Sequence, residues 1–584
     1  MRVPAFPLFR SLLPVILAGL LCSPALAQSP TAAAGPATAG KTVELPKMTV
    51  TDSASLPKLE SWRYTRITGF EVLSSAGDRE TRNLLADFEK FQRAVKLIWP
   101  APLKPVAAAT VILCGKGNKF DTFLPAGTTA DEAVVPSLFL RNREQVAIVV
   151  DLQAEQVTIN DPLVALAANS NTVDYQVDHY RQLYREYVRY LLSQGESRPP
   201  VWLEEGLAQI IMDIELTDRA LIYGKVDTNK GAATGGNPIE LEETDASGSS
   251  AVVGEQPFNV VLEHRKLTPF SEFFAKTADS PEARSPLGNN LWAKQAYAFV
   301  HFCLFGLEGM KYRDSLIAFI GRLGSEPVSE ALFKDCFKIG YQDMERQLRA
   351  YIRKPRLKYQ QYNLQPEDRV KPATIELTEA TAEQIGIIKG DALRLAQHPT
   401  AALTEYYGAY QRGSREPAVL AGLAAVEANP GLARKFTDEA VKAGAKRPSV
   451  YVAQARMRLA EFKAEPGPDG KLTNAQMGAV LSPLFKAREI KPPLPETYET
   501  IAEAWSLSAV APKPEHLGVL DEGVKQFPRD SELLYRTATL YRQIGAAPIA
   551  ASISRLGLRF AADDGARARF EQLLATLAPP APAK

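Results

Sequence analysis

Apolar and polar residues follow two periods along this chain, and the change of period outlines its elements. From residue 81 to residue 99 apolar side chains recur three and four positions apart, which predicts an amphipathic helix. The runs AAATVILCG and SLFLRNREQVAIVVD are continuous and β-branched, so they predict a buried strand and a strand pair that turns at Asn142-Arg143-Glu144. From Trp62 onwards we therefore expect a small sheet with helices packed on it.

Helical periods dominate after this hairpin. A helix is predicted from about Asp174 to Ser193, and Pro199 and Pro200 mark the start of the next one. Lys225 to Gln256 is polar and rich in Gly, Ser and Asn, which predicts a long surface loop or a disordered insertion. Helices are predicted again in FNVVLEHRKL, SEFFAK and NNLWAKQAYAFVHFCLFG, and a further pair between Met310 and Ile352.

A change of composition between Gln365 and Ala380 predicts a domain boundary, because the chain beyond it is helical and rich in alanine. Phe527 and Asp530 recur as Phe560 and Asp563, one unit further along the chain. A period close to 34 with two helices per unit resembles the tetratricopeptide repeat (TPR). PAVLAGLAAVEANPGLARKFTDEAVKAGAKRP resembles another unit, and AEPGPDGKLTN would be an insertion. An irregular helical bundle is the alternative interpretation.

The segment 1–27 has the pattern of an export signal. A positively charged start precedes an apolar run of about ten residues, which is too short to cross a bilayer, and Ala25-Leu26-Ala27 provides small residues for cleavage. A lipid anchor at Cys22 is disfavoured because Leu21 before it is bulky. The sequence predicts export to a periplasm or to the outside of the cell, without a transmembrane anchor.

Composition narrows the function classes. At 584 residues the chain is too long for one hydrophobic core, and 46% hydrophobic with 23% charged residues is typical of globular proteins. A formal net charge of +1 predicts no general attraction to nucleic acid or to anionic membranes. Three cysteines remain after cleavage, Cys114, Cys303 and Cys336, and either three buried thiols or one Cys303–Cys336 pair fits that odd number.

Two consecutive predicted helices within LYREYVRYLLSQGESRPPVWLEEGLAQ, positions 183–209, carry several charged residues. Arg185 and Arg189 are one helical turn apart, so they share a helix face and flank Glu186. Glu205 follows on the next helix. Taken alone, the first helix also fits an ordinary amphipathic surface helix with solvated arginines.

Together with PVWLEEGLA, LWAKQAYAFVHFCLFG and GFEVLSSAGDRETRNLLADFEKF, this stretch resembles the gluzincin-like, peptidase MA-type proteins often described as domains of unknown function. The resemblance covers Trp62 to about Arg353. It implies an α+β gluzincin-like domain, a small sheet plus helices, followed here by the all-α TPR-like repeats. Next to Glu205, we expect Trp202 to be an interior anchor and Glu204 a solvated neighbour.

The resemblance also implies a chemistry that this chain contradicts. Gluzincins hold zinc with the two histidines of an HExxH helix and a glutamate of the next helix, and the glutamate of HExxH activates the bound water. Arg185 and Arg189 stand at the histidine positions, whereas Glu186 and Glu205 match the two glutamates. A guanidinium stays protonated and cannot ligate zinc. We therefore expect no catalytic residue, metal or cofactor, only vestigial positions in which an arginine pairs with Glu205.

The sequence thus predicts an exported, non-catalytic peptidase-like protein that binds an unknown peptide or protein, and no nucleic acid, through its cleft, its repeats or both. Two alternatives stay open: a metal-dependent hydrolase with ligands relocated to His179, His264 or His301, and a scaffold that acts only through its repeats. The predicted boundaries are 1–27 for the signal peptide, 28–61 for a linker, 62–155 for the amino-terminal α/β part, 156–364 for the helical part with the degenerate motif, 376–577 for the repeats and 578–584 for a Pro/Ala tail.

Overall fold

The protein is described here by a computed structural model. It describes residues 59–98, 108–128 apart from 116 and 118, 135–159, 173–194, 199–226 apart from 218, 251–253, 257–306 apart from 285 and 286, 311–365 apart from 325, and 374–577 apart from 562. The predicted signal peptide, most of the predicted linker and the predicted tail lie outside these residues. No helix among the described residues is long and apolar enough to cross a membrane.

A six-stranded mixed sheet forms the centre of the amino-terminal half, with strand order β12-β1-β2-β3-β5-β4. Neighbours β2, β3 and β5 run parallel, and the other neighbours pair antiparallel. Its strands are β1 (Arg63–Ile67), β2 (Phe70–Ser74), β3 (Ala108–Cys114), β4 (Ser137–Arg141), β5 (Gln145–Asp151) and β12 (Thr378–Glu379). Two three-stranded sheets consist of β6 (Gln156–Ile159), β7 (Val173–Gln176) and β10 (Ala251–Val253), and of β8 (Glu215–Leu216), β9 (Ala220–Tyr223) and β11 (Gln360–Asn363).

Helices make up most of the remaining described chain. Those of the amino-terminal half are α1 (Asp78–Ile98), α2 (His179–Ser193), α3 (Val201–Met212), α4 (Phe258–Leu262), α5 (Phe270–Ala275), α6 (Leu291–Phe305), α7 (Arg313–Leu323), α8 (Glu330–Phe337) and α9 (Tyr341–Ile352). Those of the carboxy-terminal half are α10 (Ala382–Leu395), α11 (Pro399–Gln411), α12 (Pro417–Val426), α13 (Pro430–Lys442), α14 (Pro448–Ala464), α15 (Asn474–Glu489), α16 (Pro495–Ser506), α17 (Pro514–Gln526), α18 (Ser531–Gln543), α19 (Ala547–Arg559) and α20 (Asp564–Leu577).

Both faces of the six-stranded sheet are covered by helices. Successive side chains of a strand point to opposite faces. Val111 and Leu113 accordingly belong to a core shared with α1, α2, α3 and α6, whereas Ile112 between them belongs to a core shared with the carboxy-terminal helices. The side chains of β5 alternate between the same two cores, and the strand is buried along nearly its whole length. Its continuous apolar sequence follows from this double burial.

The predicted sheet elements are confirmed, whereas three predictions around them are wrong. Asn142 caps the β4–β5 turn by accepting the amide hydrogens of Glu144 and Gln145. The helix expected from Asp174 begins instead at His179, because the residues before it pair as β7 with β6 and β10. β10 lies inside the stretch predicted to be a loop or a disordered insertion, and three helices rather than two lie within residues 310–352.

Residues 382–577 form successive helix pairs, α10/α11 to α18/α19, with α20 at the end. Short loops join the helices, so that neighbours run antiparallel. The predicted repeat is confirmed at its recurring residues. Phe527 and Phe560 end α17 and α19, and the side chains of Asp530 and Asp563 each accept the amide hydrogen of the residue three positions later. The expectation that 376–577 is wholly α-helical is wrong at its start, because β12 pairs with β1 and thereby extends the six-stranded sheet.

The repeats are held against the sheet by polar contacts as well as by the shared core. In the β4–β5 turn, Glu144 Oε1 accepts the amide hydrogen of Ser449 at 2.7 Å, at the start of α14. The Arg143 guanidinium lies 5.0 Å from the centre of the Phe527 ring, at the end of α17. One turn of the sheet therefore contacts two helices that are far apart in the repeat sequence.

The three described cysteines are free thiols, so no disulfide joins Cys303 and Cys336. Cys114 and Cys303 are buried, and Cys336 is half-buried. Burial raises the pKa of the Cys114 thiol to about 12. The first two side chains thus behave as small apolar residues of the two cores.

Candidate functional site

Helices α2 and α3, which carry the charged residues singled out in the sequence, pack against each other as predicted. Asp178 begins α2 by accepting the amide hydrogens of Tyr180 and Arg181. The apolar side of α2 lies on the sheet and on α1, where the ring of Tyr187 meets that of Phe88 edge to face at 5.3 Å. α2 is therefore fixed between the sheet and α3, which ends at Met212.

α3 is buried on nearly all sides. A Cβ atom on Gly206 would lie 2.6 Å from the carbonyl oxygen of Ala296, so glycine at this position allows α6 to approach closely. Trp202 is an interior anchor as expected, with its ring 5.2 Å from that of Phe274. Glu204 is buried as well, so its expected role as a solvated neighbour is wrong. Glu205 on this helix is consequently carried into the protein interior.

Both arginines of α2 pair with Glu205. Arg185 Nη2 lies 3.0 Å from Oε1 and 2.9 Å from Oε2 of Glu205, and Arg189 Nη2 lies 2.8 Å from Oε2. Arg189 Nη1 also lies 3.2 Å from Oε2 of Glu186. Relative exposure is 1% for the Arg185 side chain, 3% for Glu205 and 16% for Arg189. The expected ion pair with Glu205 is present, and Arg185 is not the solvated arginine of a surface helix.

The ion pairs belong to a longer hydrogen-bonded network. Gln209 Nε2 donates to Oε1 of Glu205 and to the carbonyl of Gly288, both at 2.8 Å. Lys294 Nζ of α6 donates to Gln209 Oε1 at 3.1 Å. At the other end, Ser137 Oγ of β4 donates to Glu186 Oε1 at 3.0 Å. The network therefore joins α6, α3, α2 and the sheet.

Electrostatics hold this network in its charged form. Burial by itself would raise the pKa of Glu205, but the charges of Arg185 and Arg189 lower it to about 2. Burial by itself would lower the pKa of the Arg189 guanidinium, but the charges of Glu186 and Glu205 raise it. Arg185 and Arg189 thus compensate the charges of Glu186 and Glu205 in a largely buried site, and such pairing is the condition under which buried charges are tolerated.

A short loop before α6 closes over Glu205. Gly288 in this loop has a φ of +65°, and a Cβ atom there would lie 2.5 Å from Oε1 of Glu205 and 2.8 Å from Nε2 of Gln209. Only glycine combines that backbone conformation with so close an approach. The loop leaves no space for a further ligand at Oε1 of Glu205.

The three histidines considered as relocated metal ligands, His179, His264 and His301, lie in different surroundings. His301 is fully buried, and its two ring nitrogens lie 2.7 Å from the hydroxyl of Tyr351 and 2.7 Å from the carbonyl of Gly224. Burial lowers the pKa of His301 to about 4. His264 lies on the surface with 88% of its side chain exposed, and His179 is the first residue of α2. His301 therefore has both nitrogens engaged within the protein.

The site contains ion pairs rather than an open coordination sphere. Across the described ranges, no three His, Cys, Asp or Glu residues are grouped so that they could hold a metal ion. Glu186 accepts hydrogen bonds from Ser137 and Arg189, so its two oxygens are already engaged. The chemistry that this arrangement provides is charge compensation between two helices.

Sequence reasoning missed four members of the network: Ser137, Gln209, Gly288 and Lys294. Gln209 lies one helical turn after Glu205 on the same helix, so helical spacing already predicts their contact. Lys294 is the only Lys, Arg, Asp or Glu of a mostly apolar helix, which is a signal for a buried, partnered charge. Ser137 and Gly288 reach the site only through tertiary packing and carry no comparable local signal.

Comparisons with known proteins add little to this picture. No protein-family model and no curated protein matches the chain. Among solved structures, TTC0263, a thermophilic TPR protein of Thermus thermophilus, is similar over 33% of this chain and 99% of its own length, with 19% sequence identity and a TM-score of 0.25. A TM-score of that size establishes no common arrangement of the helices.

Proposed function

We propose that this chain is a non-catalytic relative of gluzincin peptidases that binds a peptide or protein partner. The observation that carries the proposal is the position of two guanidinium groups on one buried carboxylate. Arg185 and Arg189 occupy the positions that the resemblance assigns to zinc-binding histidines, and they lie 2.9 Å and 2.8 Å from Oε2 of Glu205. Their two positive charges take the electrostatic place of a divalent ion without its Lewis acidity.

In this proposal the partner binds to the successive helix pairs of residues 382–577, called the helical array below, rather than to the ion-pair site. With 1% and 3% exposure, Arg185 and Glu205 offer no atoms to a ligand in solution. The array instead carries a line of partly exposed ion pairs across its successive helix pairs. Arg536 of α18 contacts Glu503 of α16 at 3.2 Å, and Arg569 of α20 contacts Glu532 of α18 at 3.2 Å. Repeat arrays typically present such aligned surfaces to extended peptides.

A scaffold that acts only through its repeats remains a second candidate, supported by the shared sheet. Ile112 and Val149 of the sheet lie in the same core as Ile385 and Ile388 of α10. In that case the peptidase-like half serves as a structural support for the array. For both candidate functions we propose that the protein is exported, because the segment 1–27 has the pattern of a signal peptide.

Metal analysis tests the non-catalytic part. After dialysis against dilute zinc, the full chain is expected to retain no stoichiometric metal. The variant Arg185→His with Arg189→His is expected to gain zinc, because it adds two imidazoles beside Glu205 at the i and i+4 spacing of a zinc helix. Stoichiometric zinc in the native chain that is lost in Glu205→Ala would overturn the proposal in favour of a hydrolase.

Peptide binding tests the other part. Synthetic peptide arrays probed with the full chain are expected to give ligands whose binding is lost in Arg536→Glu, which breaks the contact with Glu503. The matched control is Arg555→Glu, which makes the same change of charge elsewhere in the array. Equal binding by both variants, or cleavage of the bound peptides, would contradict the proposal.

A further inference from the structure

A basic surface that shares no residue with the ion-pair network lies at the end of α9. Arg353, Lys354, Arg356 and Lys358 follow one another closely along the chain, and all four are exposed. Within the part of the chain that the structure describes, none of the four forms a salt bridge with a carboxylate. The whole chain has a net charge of only +1, so this concentration of charge is local.

A second segment extends this surface. Arg349, one helical turn before Arg353, donates a hydrogen bond of 3.5 Å to the backbone carbonyl of Arg265. The exposed turn from Glu263 to Lys266 therefore lies beside α9. This turn and residues 341–358, together called the basic patch below, contain eight Lys or Arg residues against three Asp or Glu residues.

The cationic segment is fixed at both ends. It begins where α9 ends at Ile352, and it leads into β11, whose Gln360 pairs with Tyr223 of β9. Tyr359, between the segment and β11, has 47% of its surface exposed. A fixed segment presents its charges together, with little further ordering when it binds.

We propose that the basic patch binds the surface of a membrane rich in anionic phospholipid. Each Lys or Arg close to such a surface strengthens the attachment about fivefold, and tyrosine is enriched where membrane and water meet. Binding to single-stranded nucleic acid instead relies on several aromatic side chains on which successive bases stack. Tyr341 and Tyr351 within the patch are partly or fully buried, so Tyr359, directly after the patch, is the single exposed tyrosine beside it in the described chain, which favours the lipid surface.

This attachment is reversible and independent of the peptide-binding proposal. It uses charge and one aromatic side chain, without a membrane-spanning helix among the described residues. Attachment of that kind weakens as salt screens the charges. It would hold the protein at a membrane surface while the helical array, which contains none of the residues of the basic patch, remains available.

Sedimentation with vesicles tests the proposal on the full chain. Vesicles with about 30% phosphatidylglycerol are expected to bind the protein at least about tenfold more strongly than pure phosphatidylcholine vesicles. Binding is expected to fall strongly between about 50 mM and about 300 mM salt. The variant Lys354→Glu/Arg356→Glu/Lys358→Glu is expected to lose about 100-fold in binding.

The matched control is Lys442→Glu/Lys446→Glu/Lys471→Glu, which makes the same change in net charge at exposed positions of the array. It is expected to retain binding. The corresponding glutamine variant of the basic patch replaces the first one if the charge reversals disturb folding, as checked by thermal melting. Equal binding by patch and control variants, no preference for anionic vesicles, or tighter binding of a short RNA than of vesicles would overturn the proposal.

Discussion

Arg185 and Glu205 meet across two neighbouring helices, with one guanidinium nitrogen 2.9 Å and 3.0 Å from the two carboxylate oxygens. Burial of a carboxylate carries a large desolvation cost, which its cationic partners offset. The charge of Glu205 is therefore tolerated because Arg185 and Arg189 compensate it. This dependence makes the site sensitive to substitutions that would be harmless on a surface.

Replacement of Arg185 by alanine is expected to destabilise the protein by about 3–5 kcal/mol, because it leaves part of the charge of Glu205 uncompensated in the interior. Arg189→Ala should cost less, because the Arg189 side chain is 16% exposed and water can partly replace it beside the carboxylate. Urea unfolding at pH 7 measures both. Arg181→Ala is the matched control on the same helix: Arg181 pairs with Asp213 in a partly exposed position, so about 0–1 kcal/mol is expected. Equal losses in all three variants would contradict this account.

Gly288→Ala is expected to destabilise the protein by more than backbone strain alone, because its Cβ atom would meet Oε1 of Glu205 at 2.5 Å. Gly444→Ala separates the two effects. Gly444 has a φ of +76°, and a Cβ atom there would meet nothing within 4 Å, so only a strain of about 1–2 kcal/mol is expected. Thermal melting of the two variants should rank Gly288→Ala as clearly less stable, and the reverse order would argue against a closed loop.

Acid should weaken the native protein through Glu205. Its pKa is lowered from 4.5 to about 2 on folding, so its contribution to stability is complete above pH 4.5 and is lost as the pH falls towards 2. Between pH 5 and pH 3 the loss from this group is on the order of 2 kcal/mol. Urea unfolding across this range should show a smaller decline for Glu205→Gln, which has no proton to gain. Equal slopes for the two proteins would contradict the lowered pKa.

A second carboxylate should act in the opposite direction. Burial and the charges of Asp530 and Glu496 raise the pKa of Glu499 from 4.5 to about 7. Stability from this group is therefore complete below pH 4.5 and is lost as the pH rises through 7. Glu499→Gln should raise the melting temperature at pH 8 by about 2–4 °C and change it little at pH 4.5. A stabilisation that is the same at both pH values would rule out titration as its cause.

Removal of the repeats should not leave a stable amino-terminal half. A chain that ends at residue 365 lacks α10 and exposes apolar sheet residues such as Ile112 and Val149. A large exposed apolar face leads to aggregation. A chain that ends at residue 546 lacks only the last two helices and keeps the sheet covered, so it is the control. Size-exclusion chromatography should give aggregates for the first and a monodisperse peak for the second.

Strong local patterns account for what the sequence predicted correctly. The apolar runs of β3 and β5 are uninterrupted, α6 is mostly apolar, and the pattern of Phe527 and Asp530 recurs at the ends and starts of helices. The approach of Arg185 to Glu205 follows from helical spacing together with a resemblance that assigns both helices to one site. Each of these predictions uses a signal carried by residues close together in sequence or by two helices that follow each other in the chain.

Tertiary packing decided the rest. β12 has two residues, too few to carry a pattern, and it forms only because β1 offers an edge. Glu204 is polar in sequence, yet α3 is covered on all sides and takes this side chain into the interior. The net charge gave no indication of the basic patch, because charge sums over the whole chain ignore where the cations lie.

The pairing of β12 with β1 has a consequence for the order of folding. Thr378 Oγ1 donates to the carbonyl of Tyr64, 314 residues earlier in the chain. During synthesis β1 therefore exists for a long interval as an open sheet edge, which is the part of a β-structure most prone to pair with another chain. The helical array is likewise synthesised after the sheet strands β1 to β5 that it covers. A newly made amino-terminal half thus depends on the synthesis of β12 and of the helices that cover the sheet to escape aggregation, or on a chaperone that protects it until then.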